Sequence, residues 1–145
     1  MPLNKLPLYK NFFIIVWMKK KNASYIVTGI FMILSGLAGL VLTVLVFISG
    51  LTSAVSALSF TVISAALTMI WAIINLNIGF SSVGGAKNQK RLKRNFYLGT
   101  VSVIIFIVQI LLSAANGISA VHLIILIACG FVIPCVYIFV CRLKI

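Results

Sequence analysis

Two long charge-free runs constrain the fold of this 145-residue chain more than any other feature of its sequence. Residues 22–86 and 95–141 contain no Lys, Arg, Asp or Glu. As a single helix the first run would measure about 97 Å, two to three times the roughly 30 Å of a bilayer's hydrocarbon core. Each run therefore has to fold back on itself, which predicts a pair of membrane-spanning helices in each.

The composition agrees with this interpretation, because 63% hydrophobic and 8% charged residues lie far outside the range of soluble domains. The runs lack the two-residue alternation of a membrane β-barrel strand. We predict an all-α integral membrane protein whose four transmembrane helices form two antiparallel hairpins within a domain at 22–145. The predicted spans are 23–48, 57–78, 96–114 and 120–141, with a basic loop at 79–95.

The twelve cations of the chain all fall on one side of this topology, before the first span, between the hairpins and after the last span. By the positive-inside rule, both termini are expected to be cytoplasmic and the protein to be multi-pass. No aromatic residues are interleaved with the cations as a nucleic-acid interface would require, so anionic lipid is the expected partner. The residues expected to contact it are Lys19, Lys20, Lys21, Lys87, Lys90, Arg91, Lys93 and Arg94.

The N-terminal segment 1–21 contains an apolar run too short to cross a bilayer, followed by three lysines. Its aromatic and apolar residues fall near helical spacing, which favours a short interfacial helix on the cytoplasmic leaflet. The alternative is a disordered basic tail followed by the start of the first span. Asn22 is the expected N-terminal cap of that span.

Small residues mark the predicted packing face of the first span. Gly29, Gly36 and Thr43 recur every seven residues, and Gly39 adds a small residue on a neighbouring face. Small side chains let the backbones of membrane helices approach closely. We expect this face to pack against another helix.

Polar residues of the third span form a second stripe: Ser102, Gln109 and Asn116 are seven apart, and Ser113 is adjacent. Such a stripe faces protein or water, and not lipid. It predicts either hydrogen bonds between helices or the lining of a polar pathway. Pro134 in the middle of the fourth span predicts a kink near Gly130.

The sequence contains no Asp or Glu and a single histidine, His122. It therefore has no carboxylate for acid and base catalysis, for proton coupling or for divalent-cation ligation. Cys129, Cys135 and Cys141 are six apart, so they step around a helix and do not converge on a metal. We predict that the protein is not an enzyme and has no cofactor or metal.

Three groups of residues form a pattern across the predicted spans: Gly29, Ile30, Met32, Ile33 and Gly36 in the first span, 93–95 with Gly99 at the third, and 133–137 with Arg142 at the fourth. In this layout the chain resembles small uncharacterised four-helix membrane proteins of Gram-positive bacteria. The resemblance covers about residues 23–145 and implies a bacterial plasma membrane, without any activity.

Three hypotheses for function follow. The first is a non-enzymatic protein that acts by assembly, as an accessory subunit or a homo-oligomer packed through the Gly29, Gly36 and Thr43 face. The second is a pore or facilitator for a small neutral or anionic solute, lined by Ser102, Gln109, Asn116 and Asn75. The third is immunity-type protection against a membrane-active peptide.

Overall fold

The computed structural model describes the backbone of residues 8–51, 55–84, 88–115, 124 and 127–145, and the side chains of 22–48, 60–84, 88–115, 124, 127–128 and 130–145. The helices are α1 (Leu8–Leu51), α2 (Val55–Val83) and α3 (Gln89–Ala115), followed by a π-helical segment (Ala128–Val132) that leads directly into α4 (Ile133–Arg142). These ranges contain no strand. The predicted all-helical class is therefore confirmed for the part of the chain that the structure describes.

Within the residues that the structure describes, three helices are long and apolar enough to cross a membrane. The apolar stretches are Asn22–Ile48, Phe60–Val83 and Gln89–Ala115, and each exceeds the roughly 20 residues that a bilayer requires. The fourth apolar helix, Gly130–Arg142, is shorter. The predicted span at 120–141 begins within residues that the structure does not describe, and His122 is one of them.

Helix α1 is one continuous helix of 44 residues, about 66 Å long. It passes through position 22 without a break because no Gly or Pro occurs between Leu8 and Val27 to interrupt it. The prediction that Asn22 caps the first span is therefore wrong. Its side chain instead accepts a hydrogen bond of 3.1 Å from Lys144 Nζ. The interfacial position of the segment before it stays a prediction.

The loop between α2 and α3 is shorter than the range 79–95 taken from the sequence. Helix α2 continues to Val83, because Gly79 lies within a packed helix and does not end it. Helix α3 begins at Gln89, where the Asn88 side chain accepts a hydrogen bond of 3.0 Å from the Lys90 backbone N–H. An asparagine in this position satisfies one of the free N–H groups of a helix start.

The four helices form a closed bundle, in which each helix packs on its neighbour in sequence and α4 packs on α1. The closest approach is between α1 and α2. A Cβ atom built on Gly36 would lie 2.9 Å from the Ala72 carbonyl oxygen, and one on Gly79 would lie 2.8 Å from the Gly29 carbonyl oxygen. These separations are well below the roughly 3.5 Å of an ordinary contact. Only glycine permits the two backbones to lie this close.

Aromatic rings fill the space beside two further glycines, Gly39 and Gly130. Gly39 faces the Trp71 ring, which packs at a tilt of 37° against Phe106 of α3, with 5.2 Å between ring centroids. Gly130 in the π-helical segment lies directly against the same Phe106 ring, leaving no room for a side chain. The Thr43 hydroxyl does not reach another helix and donates to the Gly39 carbonyl at 2.8 Å.

The π-helical segment lies where Pro134 predicts a disturbance of the fourth helix. Proline has no N–H to donate, and its ring clashes with the carbonyl four residues earlier, here Gly130. A wider turn over Ala128–Val132 precedes the proline, and regular α-helix continues from Ile133. A π-helical turn is one of the recognised ways in which a helix is bent or offset.

The close α1–α2 contact predicts a large difference between two substitutions on one helix. Gly36→Leu should lower the free energy of unfolding by about 1 to 3 kcal/mol, because the side chain overlaps Leu76 and the Ala72 backbone. Ala38→Leu, at an exposed position two residues away, should leave it unchanged. Unfolding by sodium dodecyl sulfate, followed by circular dichroism, measures both. Equal stabilities would contradict the packing described here.

Candidate functional site

The described interior of the bundle contains polar side chains from different helices, which bond to one another in three layers. The first, which we call the basic-end layer, contains one residue from each helix: Tyr25, Ser82, Asn95 and Tyr137. Each of the four is at most 1% exposed. It lies at the end of the bundle that carries the basic residues at the start of α3 and the end of α4.

Asn95 holds the basic-end layer together. Its side-chain N–H₂ group donates to Tyr25 Oη at 3.0 Å and approaches Tyr137 Oη at 3.3 Å and Ser82 Oγ at 3.5 Å. The two tyrosine hydroxyls lie 3.2 Å apart, and Tyr137 Oη and Ser82 Oγ are also hydrogen-bonded. The Ser82 hydroxyl reaches the Ile78 carbonyl in its own helix at 2.7 Å. One amide thus contacts hydroxyl groups on the three other helices.

Two further layers follow along the bundle. In the middle layer the Ser102 hydroxyl donates to Asn75 Oδ1 at 2.6 Å, and Asn75 Nδ2 donates to Ser35 Oγ at 3.4 Å. In the far layer Gln109 Nε2 donates to Thr68 Oγ1 at 2.5 Å. All of these residues are buried, so hydrogen bonds replace the water that their polar groups lose.

A single register relates the three layers on α2 and α3. Along α2 the polar residues Thr68, Asn75 and Ser82 are seven apart, and along α3 Asn95, Ser102 and Gln109 are seven apart in the opposite order. Seven residues of helix rise about 10.5 Å, so the layers repeat at that spacing. We call these six residues the polar ladder. A sustained seven-residue repeat keeps the same face of each helix toward its partner.

Apolar side chains fill the space between layers. Ile78 and Met32 are fully buried between the basic-end and middle layers, and Trp71, Ala72 and Phe106 form the buried cluster between the middle and far layers. The polar ladder is therefore interrupted twice by packed hydrocarbon and does not form a continuous polar path through the described interior.

Among the described side chains, three buried polar atoms have no hydrogen-bond partner: Trp71 Nε1, Asn95 Oδ1 and Gln109 Oε1. Leaving such an atom unpaired costs about 1 to 3 kcal/mol relative to solvation by water. The Asn95 and Gln109 amides each bond through nitrogen only. The ladder therefore stabilises the bundle by less than its full set of hydrogen-bonding groups would allow.

The predicted polar stripe divides between the ladder and its surroundings. Ser102 and Gln109 belong to the ladder, and Ser113 is buried one turn beyond Gln109. Asn116 lies outside the described residues. The layer residues that the sequence did not predict as site residues include Thr68, Ser82, Asn95, Tyr25 and Tyr137. The seven-residue spacing from Ser102 back to Asn95, and from Asn75 to Thr68 and Ser82, is the signal that identifies the first three.

The predicted packing residues Gly29, Gly36 and Gly39 contact α2 of the same chain, at Ser82, Leu76 and Trp71 respectively. An assembly surface on this face, which the sequence suggested, is thus already occupied within the bundle. The sequence could suggest a different partner for this face because small-residue spacing predicts close packing without identifying the partner helix.

Four of the predicted lipid-contacting cations are described, and all are exposed at the start of α3: Lys90, Arg91, Lys93 and Arg94. The backbone of Lys19–Lys21 lies in α1, but their side chains are outside the described ones, as is Lys87. At the same end Lys144 lies over the Tyr25 ring, 5.5 Å from its centroid. Within the described residues no cluster of three or more His, Cys, Asp or Glu is placed to hold a metal ion.

Fold and interior together define an all-helical bundle with membrane-compatible helices and an internally bonded polar ladder. Comparisons with protein-family models, with curated proteins and with solved structures found no match.

Two asparagines on α2 test the ladder. Asn75→Leu should lower the free energy of unfolding by about 0.6 to 1.7 kcal/mol, because it removes the bonds to Ser35 and Ser102. Asn77→Leu, the same change at an exposed position, should not lower it. Detergent unfolding of the two variants in parallel measures the difference. A loss that is equal in both would mean that the middle layer contributes nothing specific.

A second pair of variants tests the basic-end layer through one oxygen atom. Tyr25→Phe removes the hydroxyl that Asn95 and Tyr137 contact and should destabilise the bundle by up to about 1.7 kcal/mol. Tyr97→Phe, at a residue 68% exposed, should have no effect. Both variants are heated in detergent, and the fraction of each protein that remains monodisperse is measured against temperature. A stable Tyr25→Phe variant would contradict a structural role for this layer.

Proposed function

We propose that this chain is a non-enzymatic, multi-pass protein of the plasma membrane that acts by assembly, as an accessory subunit of another membrane protein or as a homo-oligomer. In this proposal the chain crosses the membrane four times as two antiparallel hairpins, with the basic end and both termini in the cytoplasm. The supporting observation is the polar ladder, whose side chains bond to one another inside the bundle.

Because the ladder residues bond to one another inside the bundle, the described outer faces of the helices away from the basic end are mostly apolar. Leu34 and Val41 of α1 are 55% and 62% exposed, and Ile104 and Leu111 of α3 are 55% and 64% exposed. Surfaces of this kind are covered by lipid or by apolar helices. Among the described residues, the exposed side chains away from the basic end are mostly apolar, which suits lateral contacts in the membrane.

The pore hypothesis would need Ser102, Gln109 and Asn75 to face a solute. In the structure Ser102 and Asn75 bond to each other, and Gln109 bonds to Thr68. These contacts favour a cohesive role for the three side chains, and no observation on the described residues favours conduction. Assembly is therefore the function that the geometry supports best.

The proposed contact surface is an outward face, since the glycine face of α1 is covered by α2. On α1 the exposed residues Ile30, Leu34, Leu37, Val41, Val44 and Ile48 follow the alternating spacing of four and three residues. On α3 a similar series includes Tyr97, Val101, Ile104, Val108 and Leu111. Both spacings suit packing against a further helix.

Native mass spectrometry of the protein, extracted from its own membrane in a mild detergent, tests the proposal. We expect a species heavier than the 15.8 kDa chain with bound lipid, containing either a second protein in fixed ratio or several copies of this chain. A hetero-complex would establish the accessory-subunit form and a multimer the homo-oligomeric form. A monomer alone, over a tenfold range of concentration, would contradict assembly.

Two matched double variants then locate the contact. Leu34→Ala with Val41→Ala truncates the outward face of α1, and Ile104→Ala with Leu111→Ala truncates that of α3. Each pair is seven residues apart and lies outside the ladder. We expect one of the two to reduce the assembled fraction while the other leaves it intact, whereas retention of assembly by both would exclude these two faces.

A further inference from the structure

A polar groove opens on the outside of the bundle at its basic end. It has a volume of about 440 Å³ and lies between α2 and α3. Its lining is Asn77, Phe80 and Ser81 from α2, and Arg91 and Arg94 from α3. The Arg94 guanidinium donates to Ser81 Oγ at 3.3 Å, which brings it against α2. The groove thus combines two guanidinium groups with a hydroxyl and an amide.

The positive charge of this groove has no acidic side chain to neutralise it. The chain contains no Asp or Glu, so neither arginine can form an ion pair with a side chain of its own protein. Arg91 also lies in the first turn of α3, where the free N–H groups already carry a partial positive charge, and Arg94 lies in the next turn. Cations at this end of a helix are unfavourable unless an anion joins them.

The position of the groove indicates where that anion comes from. Asn77, Phe80 and Ser81 lie in the last part of the apolar stretch Phe60–Val83, and the arginines open the stretch Gln89–Ala115. The ends of such stretches coincide with the headgroup region of a bilayer. Phe80 is 66% exposed and offers an apolar wall to the groove, as aromatic residues do at membrane interfaces.

We propose that this groove binds one anionic glycerophospholipid, with its phosphate between Arg91 and Arg94 and its headgroup hydroxyls near Asn77 and Ser81. Guanidinium groups bind phosphate oxygens with paired N–H donors, which suits a phosphodiester. A headgroup that carries an ammonium would place a cation beside these two guanidinium groups, which disfavours it. Such a site binds one lipid at particular residues, whereas the general attraction of basic residues to anionic lipid depends on charge alone. The proposal rests on the membrane placement proposed above and is independent of assembly.

The experiment uses the full chain in detergent with equimolar phosphatidylglycerol and phosphatidylcholine of identical acyl chains. Native mass spectrometry gives the ratio of the two singly bound lipids on the monomer peak. Arg91→Gln with Arg94→Gln should lower the preference for phosphatidylglycerol by roughly tenfold or more. Lys90→Gln with Lys93→Gln removes the same charge from the same turns outside the groove, and should change it by no more than about twofold.

Two further measurements complete the test. One distinguishes a bound lipid from a free phosphate, and the other distinguishes a defined site from diffuse positive charge. Asn77→Leu, which keeps every cation, should also weaken the preference, and soluble glycerol phosphate at roughly 1 mM should not displace the bound lipid. Equal losses in the arginine and lysine variants, or no loss in either, would overturn the proposed site. Displacement by glycerol phosphate would overturn the lipid and assign the groove to a free anion. Because the ratio is read on monomers, failure of assembly leaves this test unaffected.

Discussion

Hydrogen bonding between buried polar side chains is the constraint on which the rest of this structure depends. Asn75, Asn95 and Gln109 carry amides into an apolar interior, where an unpaired amide is costly. Each therefore requires a partner on a neighbouring helix at the same height. The seven-residue repeats on α2 and α3 meet that requirement three times in one register, so a shift of either helix along its axis would break several bonds together.

Glycine contacts hold α1 against α2, whereas the hydrogen bonds of the ladder hold α2 against α3. Between α1 and α2 the backbones approach directly at Gly36 and Gly79, and dispersion across a close contact supplies the attraction. Between α2 and α3 side-chain hydrogen bonds fix the register. At the basic end Tyr25 and Tyr137 bring α1 and α4 to the same amide, so all four helices meet only there among the described contacts.

The sequence predicts the helical class and part of the ladder, but not its partners. Ser102 and Gln109 stand out because both lie inside an uninterrupted apolar run, whereas Ser82 and Asn95 flank the basic loop and fall at uncertain helix ends. The contact between Tyr25 and Tyr137 joins residues 112 positions apart, and it depends on how α1 and α4 are rotated. Spacing along one helix contains no information about that rotation. For the same reason the glycine stripe predicted close packing while its partner, α2, had to come from the structure.

At the basic end, a single turn of α2 and a single turn of α3 each contain one residue of the basic-end layer and one residue of the outer groove. Ser81 lines the groove and Ser82 lies in the basic-end layer, and on α3 the groove residue Arg94 precedes the layer residue Asn95. Adjacent residues on a helix point about 100° apart, so one turn presents a polar group to each side. The contact between Asn95 and Ser82 joins the two helices that form the groove walls at this height. Ordering of Asn95 among its three hydroxyl partners consequently holds Arg94 within reach of Ser81, where the proposed phosphate has its donors.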